Sequence, residues 1–189
     1  MKIKIITPPA TEPVTLKEVK AHMRVDFFDD DTYITSLIQT AREWCESFQN
    51  KAYITQTLEI ALDTFPCNEI RLPRPPLASV TSVKYYDLNN VEDTVSSDDY
   101  YVDNYAEPGT INLKYNKYWT TTTLRPTNAV IVRYIAGGST VSNKVKHAIM
   151  LLVNHWYENR EVVSRVMVLD KETKFAVTSL LSQDRVVLV

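Results

Sequence analysis

The chain has 189 residues, 44% of them hydrophobic and 23% charged, the balance of an ordinary globular protein of 21.7 kDa. Its 21 Lys and Arg stand against 23 Asp and Glu, giving a net charge of −2 and a pI near 5.9. That leaves no basic stripe to neutralise a run of phosphates, so tight nucleic-acid binding is not expected, while passing contact with DNA stays open.

About 70% of the extended chain's surface can be buried at this size, so a core without staples is expected. Cys45 and Cys67 are too few for a disulfide framework. The opening "MKIKIITPPA" lacks a signal-peptide core, and no apolar run approaches membrane-spanning length. Folding in a reducing cytoplasm is the expectation.

"TLKEVKAHM" starts with Thr15 and Glu18 at capping-box spacing, followed by the short apolar stripe Leu16, Val19 and Met23. Asp29, Asp30 and Asp31 then lead into a second helix, where acidic charge suits the positive end of the dipole. Ile34, Leu37, Ile38, Ala41, Trp44, Cys45 and Phe48 recur at helical period and predict a one-sided helix over about residues 30–50.

Between residues 54 and 136 the period changes to two. "TLEIALD", "SVKYYDL", "YYVDN", "TINLKY" and "AVIVRYIA" predict five or six strands, mostly antiparallel because the connections are short. Asn89–Asn90 marks a turn, and Gly137–Gly138 breaks the chain before the next helix. From Asn143 to about Asn159 the helical period returns, with Val145, Ala148, Ile149, Leu152, Val153 and Trp156 on one face. A second row, His147, Leu151, Asn154 and Glu158, is mixed, and Met150 and Tyr157 add apolar surface outside the first stripe, so cover on a second side is expected. "FAVTSLLSQ" reads as a short helix, and the apolar "DRVVLV" after it is expected to dock.

Three stretches invite a chemical reading. In "HWYENRE", His155 and Glu158 share a helical face and could polarise one another, which would make the chain a small enzyme. No nucleophile, phosphate-loop or metal motif accompanies them, so a helix end that packs and hydrogen-bonds is the simpler reading. "RLPRPPL" has the outline of a polyproline ligand, yet prolines between two strand-like segments also make a plain connection. Asp26 to Asp31 lacks the Gly and the closing Glu of a calcium loop. No catalytic residue, metal ligand or cofactor is expected.

Taken in order, these features resemble the head–tail connector (adaptor) proteins of tailed bacteriophages. The matching segments are "PVTLKEVKAHMRVD", "DTYITSLIQTAREWCESF", "AYITQTLEIALDTFP", "IRLPRPPLASVTSVKYYD", "EPGTINL" and "VKHAIMLLVNHWYENRE" followed by "LL…R". The pattern departs over 162–174, and the ending "SQDRVVLV" keeps only the Arg and the apolar character.

The resemblance implies an α+β fold: a helical bundle of N-terminal helices plus a long C-terminal helix, carrying an antiparallel β insertion. It implies one connector domain over 1–189 with the insertion at 54–136. It implies a structural virion protein of the neck, assembled in the bacterial host cytoplasm, that forms a dodecameric ring on the portal protein. The ring would hold a stopper or tail-completion protein and leave a channel for DNA passage, without membrane contact. A different neck component is the alternative within the same class. A closed ring needs two unlike patches per subunit, each contact burying at least about 1,000 Å². Trp44, His147, Leu151, Trp156, Tyr157, Glu158 and Arg160 are the candidate interface residues. Arg185, Val186, Val187, Leu188 and Val189 are the candidate portal-docking tail.

Overall fold

The computed structural model describes residues 2–120, 122–160 and 171–187, and shows an α+β fold with four helices and antiparallel sheets. The chain divides into two compact units. One comprises Met1–Ala10 and Ile54–Ser139 and holds the strands; the other comprises Thr11–Tyr53 and Thr140–Val187 and holds the helices.

The strand unit contains β1 (Lys2–Thr7), β2 (Gln56–Leu62), β3 (Glu69–Leu72), β4 (Leu77–Tyr86), β5 (Glu92–Thr94), β6 (Tyr100–Asp103), β7 (Gly109–Leu113) and β8 (Val130–Ala136). They form a five-stranded sheet in the order β1-β2-β8-β4-β5 and a three-stranded sheet β3-β7-β6, every ladder antiparallel. Leu58 lies opposite Tyr134 and Ile60 opposite Val132, and all four are fully buried. Each buried Leu or Ile of this kind contributes about 1.5–3 kcal/mol. Tyr134 keeps its hydroxyl satisfied by donating to the Pro73 carbonyl at 2.7 Å, and burial pushes that hydroxyl's pKa up.

The sequence pattern yields five or six strands, and the described residues hold eight. β1 was missed because it lies before two helices and its Ile3 and Ile5 alternate with lysines for only a few residues. β3 is four residues long and β5 three, too short for a period to register. The proline segment after β3 is a connection: Leu72 and Leu77 at its ends are buried, and the Pro76 carbonyl accepts from the Gly137 amide at 2.9 Å. Gly137 has φ +93, and a Cβ there would sit 2.3 Å from the Ile54 carbonyl oxygen, so only glycine fits this close return.

The helical unit contains α1 (Leu16–Met23), α2 (Asp31–Gln49), α3 (Asn143–Glu158) and α4 (Lys171–Ser182). The capping box forms as the spacing predicts: Glu18 N donates to Thr15 Oγ1, and Thr15 N donates to Glu18 Oε2 at 2.7 Å. α2 ends at Asn50, whose left-handed backbone (φ 55) is one that Asn tolerates. Ser142 caps α3 by accepting from Val145 N. α2 and α4 pack on α3, and α1 touches both α2 and α3. Where α2 packs on α3, Ile34, Ile38, Ala41 and Cys45 of the one and Val145, Ala148, Ile149 and Leu152 of the other are buried. There, burial pushes the Cys45 thiol up to about 12.

Candidate assembly surface

The end of α3 is tied to the start of α2 through one carboxylate. Asp30 precedes α2 without capping it; its Oδ2 instead accepts from the Tyr157 hydroxyl and from Arg160 Nη2, both at 2.6 Å. The Arg160 guanidinium also lies over the Tyr33 ring at 4.9 Å and the Tyr157 ring at 4.4 Å. Hydrogen bonds from Arg160 and then Tyr157 hold the Asp30 carboxyl below its usual range, and the same bond raises the Tyr157 hydroxyl. Half of "HWYENRE" is thus a clasp within the helical unit.

In the other half, His155 and Glu158 bond to their helix neighbours rather than to each other. Glu158 accepts from Asn154 at 3.3 Å, the His155 carbonyl accepts from Asn159, and no hydrogen bond joins His155 to Glu158. Both line a groove of about 290 Å³ with Leu151, Asn154 and the first turns of α4. Among the described residues, no group of three or more His, Cys, Asp or Glu is placed to hold a metal ion. Among them, too, no helix is long and apolar enough to cross a membrane.

A second network lies under the C-terminal end of α2. Arg42 is buried between Glu46, one turn along, and Glu12, with both bonds at 2.8 Å. Glu46 Oε1 accepts from the Tyr53 amide at 2.8 Å, and the Tyr53 hydroxyl donates to Gln49 at 2.6 Å. Gln49 then reaches α4 by donating to the Leu181 carbonyl at 2.6 Å.

The tail candidates attach at this end. The Val186 amide donates to the Gln49 carbonyl, Asn50 donates to the Val186 carbonyl, and the Val186 side chain is buried. Arg185 lies over Phe48 at 5.1 Å, and Val187 is exposed. Leu188 and Val189 lie outside the described residues.

Of the other candidates, Trp44 is half-buried and stacks on Phe48 at 5.5 Å. His147 is exposed, with its ring edge-on to His22 at 5.9 Å. Leu151 and Trp156 are half-buried. Tyr33, Leu37, Trp44 and Phe48 make a half-buried stripe along α2 beside its buried row.

A model of the head completion protein family matches residues 12–173, most of the chain. The chain belongs to the head completion protein family. The expected resemblance to phage head–tail connectors therefore holds. No curated protein sequence matches at a significant level.

Three solved structures share this head completion protein's fold across 100% of its length and 97% of theirs. One belongs to the virion of a native gene transfer agent particle (TM-score 0.79, 21% identity). One is in the neck of the empty particle computed with C6 symmetry (0.80, 20%). One is in the neck of the native particle computed with C12 symmetry (0.78, 21%).

Periodicity directed attention to the helices of this head completion protein and away from its most exposed large side chains. Tyr105 and Tyr115 are 97% and 91% exposed, and Tyr101 and Tyr118 are largely so, all in or beside the three-stranded sheet. Ile3 and Ile5 of β1 are exposed as well. The legible signal was the density of Tyr between residues 100 and 118, which strand patterning treats as ordinary. Phe28 also stands out, beside a groove of about 360 Å³ lined by α1 and the approach to α2.

Proposed function

We propose that this head completion protein is a structural neck component that assembles into a ring between the portal and the tail or a stopper, leaving a channel for DNA. The observation that carries the reading is the family match over residues 12–173, joined to a fold shared end to end with chains from neck reconstructions. The C12 and C6 symmetries belong to those particles; here they support twelve copies around the portal axis.

In this reading the chain is one connector domain, a helical bundle carrying residues 54–136 as its β insertion. Trp44, His147, Leu151, Trp156, Tyr157, Glu158 and Arg160 lie toward neighbouring subunits, and the tail from Arg185 to Val189 toward the portal. Half-buried aromatic residues such as Trp44 and Trp156 suit this role, since a second subunit can complete their burial at little entropic cost. The near-neutral charge suits a sleeve that DNA passes without being gripped.

The test is genetic. Particles made without the protein should contain DNA-filled heads and free tails that fail to join, with joining restored by supplying the protein. Normal joining without it would overturn the reading.

A further inference from the structure

Among the described residues, the five-stranded sheet ends at β1 on one side and at β5 on the other. Among the described residues β1 pairs with β2 alone and β5 with β4 alone, so each has an outer side with no strand against it, and on β5 the Thr94 amide turns to Asp93 Oδ1 at 2.7 Å instead. Proteins blunt such edges or use them to add a strand.

Register fixes which side chains share a face. Lys4 lies opposite Glu59, and Glu59 lies opposite Arg133, to which it is bonded at 2.7 Å. Alternation along the strands puts Lys2 on that face too. Across β8 and β4, Ile131 lies opposite Lys84 and Tyr86 opposite Glu92, so Lys84 and Glu92 belong to the same face, joined at 2.6 Å. This face begins at one edge with two lysines and ends at the other with a carboxylate.

The opposite face is apolar. Leu58 and Ile60 are fully buried there, while their partners Ile5 and Ile3 on β1 are 47% and 44% exposed. They are half of a core row that stops where the sheet stops. At the far edge, Val91 next to Glu92 is exposed as well.

We propose that β1 of one copy pairs with β5 of the next, so that the sheet continues from subunit to subunit around the ring. This rests on the ring reading above and names the contact that sets its direction. Pairing β1 with β5 places Lys2 and Lys4 on the same face as Glu92 and covers Ile3 and Ile5. Pairing like edges does the reverse: β1 against β1 sets lysines together, and β5 against β5 sets acids together. The edges therefore disfavour a two-fold dimer and favour the head-to-tail contact that closes a ring. β5 is only three residues long, so the pairing fixes register and direction while other surfaces supply most of the buried area.

The experiment compares Lys2→Glu/Lys4→Glu, Glu92→Lys and the three changes together, counting copies of the protein per purified particle. Circular dichroism melts of each isolated variant report folding. Each reversal should lower the copy number by about tenfold or more, and the combined swap should restore it to within about twofold. Folded variants that incorporate normally, or a folded swap that fails to recover, overturn the pairing; the latter outcome means β1 meets a different chain.

A second measurement covers misfolding of the β5 variants. Lys4→Cys with Glu92→Cys, in a Cys67→Ser background, should give a disulfide ladder beyond the dimer when assembled particles are oxidised. Only monomer in particles carrying the normal number of copies overturns the pairing. Absence of the wild-type protein from the neck would instead sink the ring reading itself.

Discussion

The helical and strand units treat their conspicuous side chains in opposite ways. In the helical unit the residues that stand out in the sequence already have partners: Tyr157 and Arg160 on Asp30, Trp44 on Phe48, Arg42 between two carboxylates. In the strand unit Tyr105, Tyr115, Ile3 and Ile5 stand in solvent. Helices joined by long excursions of chain must fasten themselves with specific side-chain bonds. A sheet is fastened by its backbone ladder, which frees its side chains for other uses.

The largest effect should come from breaking the helical unit's buried network. Arg42→Ala removes the buried cation that ties Glu46 to Glu12 and should cost about 3–5 kcal/mol in urea unfolding. In the strand unit, Tyr134→Phe removes the one hydroxyl bond to the Pro73 carbonyl while keeping the ring, and should cost about 1–2 kcal/mol in the same assay.

The Asp30 clasp should show itself through pH. Its carboxyl is depressed in the folded state, so it adds stability above the ordinary carboxylate range and loses it as pH falls through that range. Wild-type protein should therefore lose more melting temperature than Asp30→Asn between about pH 5 and pH 2, with a small difference because the clasp is open to solvent. Equal acid sensitivity would remove Asp30 from the account. Smallest of all, Tyr105→Ser with Tyr115→Ser should shift unfolding by under about 0.5 kcal/mol. A larger loss would mean these tyrosines serve the subunit's own fold.

The helices were legible because their signals are local. Thr15 and Glu18 announce the start of α1, and the run from Ile34 to Cys45 states the buried row of α2 without reference to anything distant. β1 was not legible, because its place beside β2 depends on a partner more than fifty positions away and its own pattern is brief. The clasp was half legible: "HWYENRE" drew notice, but Asp30, 127 positions before Tyr157, looked like an ordinary helix lead-in. The single apolar face expected of α2 divides into a buried row and a half-buried stripe at Leu37, Trp44 and Phe48, which periodicity alone merges. The tail was expected to dock, and Val186 does so on the end of α2 through backbone bonds that no side-chain pattern announces.

Electron cryo-microscopy of the neck of assembled particles tests the central claim most directly. The account predicts a closed ring of identical copies of this chain beneath the portal, surrounding the DNA path and touching the tail side. Finding the chain as a solitary copy, or in the particle but away from the neck, would contradict it.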